Sequence, residues 1–205
     1  TSALVAWGVP APSPRPATAP GRTPGVGAVA VVALIVLSAS TQVFFLTSVL
    51  PRILPDLGVP AAQTLEIGGL VIFASGVAAA LGALLAPRVG DAVREPRLLA
   101  ILLAASSAFL AALGAASSVW SFGILRSLQV LCIAPVFPLV VAGIVQHAGG
   151  AAIGIVNSSR IGAAFVGPVV ATTLLAWTSP AMLYLVLAAL GLACLPLVPR
   201  RPPSR

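Results

Sequence analysis

Lysine is missing from this sequence altogether, and aspartate and glutamate together supply only four residues. Charged residues make up 7% of the chain, against about a quarter of an ordinary soluble domain. That is too little charge to coat a surface in water. Cysteine occurs twice, which argues against a disulfide framework; Cys132 and Cys194 fall inside apolar runs and read as small apolar fillers. No metal or cofactor is called for. No cleavable signal peptide is evident, and an opening on Thr rather than Met leads us to expect a piece of a longer protein. All eleven positive charges are arginine, for a net charge of +7. Such an excess can mark a nucleic-acid binder. Here the arginines stand almost entirely between or beyond apolar runs, which points to membrane topology and away from nucleic acid.

Apolar side chains fill the rest: 59% of residues are hydrophobic and the mean hydropathy is +1.11. Six long runs carry hardly a charge, at 26–50, 67–86, 98–116, 120–145, 151–176 and 181–198. About 20 apolar residues cross the hydrocarbon core as a helix, and a backbone in lipid must satisfy its polar groups internally. The expected fold class is an all-α membrane protein with six transmembrane helices. Residues 1–25 hold six prolines between Pro10 and Pro24, with Arg15 and Arg22. Proline fixes φ and removes donors, so this reads as an extended, solvated linker, with 1–9 as the end of a preceding helix. Residues 26–198 form the membrane domain and 199–205 a tail. Eight arginines (15, 22, 88, 94, 97, 200, 201 and 205) belong to one side, and only Arg52, with Asp56 and Glu66, to the other. That bias places both termini in the cytoplasm.

Lipid gives helices no hydrophobic reason to associate, so small residues that admit a close backbone matter. Ser75, Ala79 and Ala83 recur at four-residue spacing, with Gly76 and Ala80 beside them; Gly154, Ser158 and Gly162 do the same in the fifth run. Both stripes predict close-contact faces, fixed in a bundle or sliding in a transport cycle. Pro135 and Pro138 in the fourth run, and Gly167-Pro168 in the fifth, predict bends by freeing carbonyls four residues back. These are static kinks or the bent helices that line a transport route.

Two arginines lie inside the runs, where a mid-membrane guanidinium costs at least ~2.5 kcal/mol. Arg126 shares a face with Gln129, and Arg160 with Asn157. Both should face protein or water, the alternative being a side chain that snorkels to an interface. The Asn157/Arg160 face is turned away from the small stripe, which suits a polar cavity on one side and a packed neighbour on the other. Gln42 and Thr41, with Phe44 and Phe45, put amide, hydroxyl and aromatic surface midway along the first run. That mixture fits an amphiphilic or aromatic solute, or equally a hydrogen bond between helices.

Three stretches together resemble the major facilitator superfamily, in particular twelve-span bacterial drug–proton antiporters. Gly82 to Leu99, reading GALLAPRVGDAVREPRLL, resembles a degenerate form of the family's G-x-L-x-D-R-x-G-R loop. Aligned on Gly82 and Gly90, the family's Asp falls on Pro87; with a short deletion it falls on Asp91, with Ala92 in place of Arg. Leu125-Arg126-Ser127-Leu128-Gln129 resembles the family's L-R-x-x-Q segment. Asn157-Ser158-Ser159-Arg160-Ile161-Gly162, followed by Gly167-Pro168, resembles the N-x-x-R-x-x-G and G-P pattern of an exporter's fifth helix, with Ala171 where a further Gly is usual.

The resemblance implies one six-helix half of a facilitator bundle, covering most of residues 26–205. The proline- and arginine-rich start and the degraded loop favour the carboxy-terminal half, although Val49 through Gly58 resembles first halves. It further implies a bacterial inner-membrane carrier working by alternating access. Its partners would be the lipid bilayer, a small-molecule substrate and the other six-helix half. Gln42, Phe45, Asn157 and Arg160 are the expected cavity residues. Gly82, Arg88, Gly90, Asp91, Arg126, Gln129, Gly162, Gly167 and Pro168 are the expected gating set. No acid lies deep in a run, so a proton-carrying carboxylate must come from the other half, or coupling is not by proton. Two rivals remain: a non-transporting scaffold, and an intramembrane serine protease using Ser75 and His147. His147 sits in a Gly-rich turn near one end and Ser75 near the middle, too far apart for a base and its nucleophile.

Overall fold

The computed structural model describes residues 26–92, 95–145 and 150–198, the side chains of 91, 92, 95 and 143–145 excepted. The expected linker at 1–25, the tail at 199–205, Arg94 and His147 lie outside these residues. The described residues form α1 (Val26–Phe44), α2 (Leu46–Ile53), α3 (Thr64–Ala92), α4 (Glu95–Ala112), α5 (Val119–Ile133), α6 (Val136–Val145), α7 (Gly150–Trp177) and α8 (Pro180–Ala193), joined by short 3-10 turns. Six stretches are long and apolar enough to cross a membrane: Val26–Ile53, Ala61–Gly90, Pro96–Ala115, Val119–Ala142, Gly150–Trp177 and Pro180–Leu197. The first joins α1 to α2 and the fourth joins α5 to α6. The chain is an all-α, multi-pass membrane protein.

Short connections between long helices favour neighbours running in opposite directions. Their ends are built from ordinary stop and start chemistry. Ser118 Oγ accepts from the Ser121 amide while Ser121 Oγ accepts from the Ser118 amide, a reciprocal cap on α5. Ser179 caps α8 at the Met182 amide, with Pro180 in the first turn. Gly58, at φ 80°, ends the turn Pro55–Leu57 in the left-handed conformation that favours glycine. Trp120 and Trp177 are exposed at this same end of the bundle, as indole rings are where lipid meets water. Between the ends, Leu70, Phe73, Leu84, Ile161 and Phe165 point outward. Such a surface would aggregate in water but suits hydrocarbon.

The first span packs along the fifth, the second along the fourth, and the third between the fourth and sixth. Exchanging spans one to three for four to six maps the first pairing onto the second and the third–sixth pairing onto itself. That is part of the pattern of an internal repeat, while the third–fourth pairing has only a slight counterpart between the sixth and the first. Both leading spans of the repeat lapse past their middle, at Phe45 and at Ala134, although φ/ψ there stays helical (−59°/−33° and −60°/−36°).

Each lapse is met by a glycine of the partner span. Pro135 has no N–H to give the Leu131 carbonyl, and Gly82 of α3 presses on that carbonyl so closely that a Cβ would stand 2.6 Å from its oxygen. Gly167 of α7 lies against the first lapse; a Cβ there would be 3.2 Å from the Thr41 oxygen and 3.3 Å from the Phe45 nitrogen. Pro168, next to it, does not interrupt α7, which runs through it unbroken.

Two apolar cores fill the bundle. One gathers Phe45, Leu50, Ile53, Leu110, Phe122 and Leu183 toward the end carrying Gly58. The other gathers Ile35, Leu99, Leu103, Ile133, Val140 and Val156 toward the end carrying Arg88 and Arg97. Buried polar side chains lie between them: Thr41, Gln42, Ser106, Ser107, Arg126 and Gln129.

The small-residue stripes differ from expectation. Gly154 and Ser158 are exposed and Gly162 is half-buried, with open space where Cβ atoms would stand at Gly154 and Gly162. On α3, Ser75 is buried and Ala79 half-buried, whereas Gly76, Ala80 and Ala83 are exposed. The small face of α7 therefore meets no neighbour among the described residues.

Candidate functional site

The polar layer is organised by Arg126, which is 2% exposed. Its position on α5 sends the side chain inward toward α1, where the regular hydrogen bonding of the first span lapses. Nη1 donates to the Gln42 carbonyl at 2.8 Å and Nη2 to the Val43 carbonyl at 2.6 Å. Nη1 also donates to Gln129 Oε1, and Gln129 Nε2 donates in turn to Gln42 Oε1 at 3.3 Å. A side chain inserted among helix carbonyls is a recognised cause of a helix irregularity. A planar, forked guanidinium suits two successive carbonyls better than an ammonium would.

Aromatic rings seal the knot. The Arg126 guanidinium carbon lies 5.0 Å from the centre of the Phe45 ring, within cation–π range. Phe45 and Phe122 each sit 6.2 Å from the Tyr184 ring. All the acceptors of Arg126 are neutral, so the charge is held by carbonyl and amide dipoles. Several polar atoms in the layer stay unspent: Gln42 Nε2, Ser107 Oγ, Arg126 Nε and Tyr184 Oη are buried without a hydrogen-bond partner. Gln42 Nε2 and Ser107 Oγ occupy the space over Gly191 of α8 that a Cβ would need.

Arg160 is placed quite differently. It stands exposed on α7, ten residues after its start at Gly150, with its guanidinium carbon 4.6 Å from the Phe137 ring centre of α6. Asn157 and Ser158 are exposed on the same helix. The four expected cavity residues thus do not form one site. Gln42 and Phe45 are buried in the bundle, while Asn157 and Arg160 lie on its surface.

Of the expected gating set, Arg126 and Gln129 share the knot, Gly82 and Gly167 meet the two lapses, and Gly90 lies where a Cβ would be 3.2 Å from Leu139 Cδ2. Arg88 is exposed near the end of α3; Asp91 belongs to α3, its side chain outside the described residues. Ser75, weighed as a nucleophile, donates its hydroxyl to the Val71 carbonyl at 2.7 Å. Among the described residues no cluster of His, Cys, Asp and Glu could hold a metal.

Ser107, Tyr184 and Gly191 belong to the polar layer and were not singled out by sequence. The Ser106-Ser107 pair inside an apolar run is the one signal that pointed there.

A six-span helical bundle with a buried arginine layer and two lapsed helices defines a multi-pass helical membrane protein. The family model for the Major Facilitator Superfamily matches residues 32–205, and the chain belongs to that superfamily, whose members are transporters. No curated protein matches it.

Proposed function

We propose that this chain is the carboxy-terminal six-helix half of a bacterial inner-membrane exporter that moves small amphiphilic or drug-like molecules by alternating access. Its arginine-rich end, carrying Arg88 and Arg97, faces the cytoplasm, following the positive-inside bias. The observation that carries the reading is Arg160, a guanidinium exposed on an apolar span with the Phe137 ring beside it. A charge so placed is costly against lipid, and it fits a face that opens onto a water-filled passage. Asn157 extends that face, and the uncovered small residues of α3 and α7 supply a surface for the other half to approach.

In this reading the knot at Arg126 keeps the first span's lapse in shape while the exposed face of α7 meets solute. The other half supplies the carboxylate that would carry a proton, because Asp56, Glu66, Asp91 and Glu95 all stand near span ends. The experiment is solute accumulation in cells making this chain together with the other six-helix half, with Arg160→Leu at matched membrane levels. Loss of export with normal insertion supports the reading. Unchanged export by Arg160→Leu would overturn the role given to Arg160, and no export by the paired parent halves would favour a non-transporting scaffold.

A further inference from the structure

Away from the Asn157/Arg160 face, α1, α7 and α8 enclose a half-open cavity of ≈ 230 Å³. Its rim is formed by Leu34, Val166 and Leu190, each substantially exposed, so the opening lies on the outer surface of the bundle. Its walls are almost wholly hydrocarbon, including Leu187 and Cys194 of α8. No charged residue lines it. Ser38, Thr41 and Gln42 of α1 also line it, and two of these carry buried polar atoms with no hydrogen-bond partner, Ser38 Oγ and Gln42 Nε2. Gln42 is 1% exposed. Ser38 and Gln42 are four residues apart and share one face of α1. Unspent donors beside an apolar cavity carry a desolvation cost that a ligand acceptor would remove.

We infer that this cavity binds an uncharged, medium-chain amphiphile that enters from the hydrocarbon and carries one hydrogen-bond-accepting oxygen. Its tail lies along Val166, Leu187 and Leu190, and its oxygen accepts from Ser38 Oγ or Gln42 Nε2. The absence of lining charge selects a ketone, ester or ether over a carboxylate or amine. A cavity of ~150 Å³ holds one benzene molecule, so this one suits roughly nine heavy atoms. The site is complete within the described residues and stands whether or not the chain carries solutes.

The test uses the full chain in lipid nanodiscs with a medium-chain ketone bearing a diazirine in its tail. After irradiation, cross-linked residues are mapped by mass spectrometry, with 2-octanone and n-nonane as competitors of matched size. Labelling is expected at Val166, Leu190 and Cys194. It should fall when Val166→Trp fills the mouth, and 2-octanone should compete better than n-nonane. Ser38→Ala removes a hydroxyl that supports nothing else and should weaken competition by the ketone about fivefold, the worth of one hydrogen bond. It should leave competition by the alkane unchanged. Three results would each overturn the inference. The first is labelling spread over Phe73, Leu84 and Phe165. The second is labelling indifferent to Val166→Trp. The third is equal competition by ketone and alkane with no effect of Ser38→Ala.

Discussion

Arg126 and Arg160 carry the same charge into apolar helices, and their surroundings are opposite. Arg126 is enclosed, its fork spent on two carbonyls of the first span and the amide of Gln129. Arg160 is exposed, with the Phe137 ring beside it. A guanidinium hydrogen-bonded through both terminal nitrogens inside a bundle shapes the fold, and removing it leaves dipoles without a partner. One that stands uncovered contributes little to folding and is free to meet something else. On the proposed function, the contrast separates a structural charge from a working one within the same half-bundle.

The contrast breaks most visibly at Arg126. Arg126→Leu should cost about 3 kcal/mol of stability, since several hydrogen bonds from a charged group are lost and the Gln42 and Val43 carbonyls and Gln129 Oε1 are stranded. An SDS titration of the purified protein in mild detergent, followed by circular dichroism, reads that change. Arg126→Lys keeps the charge but not the fork across the Gln42 and Val43 carbonyls. A loss of about 2 kcal/mol in the same titration is expected. If Lys matched Arg, charge alone would hold the knot and the geometry would be incidental.

Arg160→Leu should shift stability by less than about 1 kcal/mol, the worth of an exposed cation–π contact, while export falls about tenfold or more, as loss of a charged hydrogen bond to solute would give. Equal stability losses at 126 and 160 would erase the distinction. The smallest effect is expected from Phe137→Leu, which removes the ring beside Arg160: about 0.5 kcal/mol, with export reduced but not abolished.

The six spans were legible because crossing lipid demands a run of apolar residues, and composition alone reports such a run. The expected boundaries at 26–50 and 151–176 differ from Val26–Ile53 and Gly150–Trp177 by a few residues at most. The pairing of Arg126 with Gln129 was also legible, since residues three apart share a helix face. What Arg126 reaches across the bundle was not. The Gln42 and Val43 carbonyls are backbone atoms more than eighty residues away, and no side-chain pattern announces an acceptor in the main chain.

The small stripe of α7 misled for a related reason. Spacing says which residues share a face, and says nothing of which face a neighbour covers. Gly82 shows the reverse. Its position in the loop pattern was noted, but the reason for a glycine there, a Leu131 carbonyl left free by Pro135, exists only once α3 and α5 are side by side.

The most direct test of the water-facing surface on α7 replaces Cys132 and Cys194 by serine and introduces single cysteines at 157, 160, 163 and 165. A membrane-impermeant, water-soluble thiol reagent is then applied to inside-out and right-side-out vesicles. Cysteines at 157 and 160 should react from at least one side. Those at 163, buried where Ala163 stands, and at 165, where the exposed Phe165 is expected to meet hydrocarbon, should stay silent. A cysteine at 160 as unreactive as one at 165 from both sides would mean that Arg160 stands against lipid, and would contradict the account.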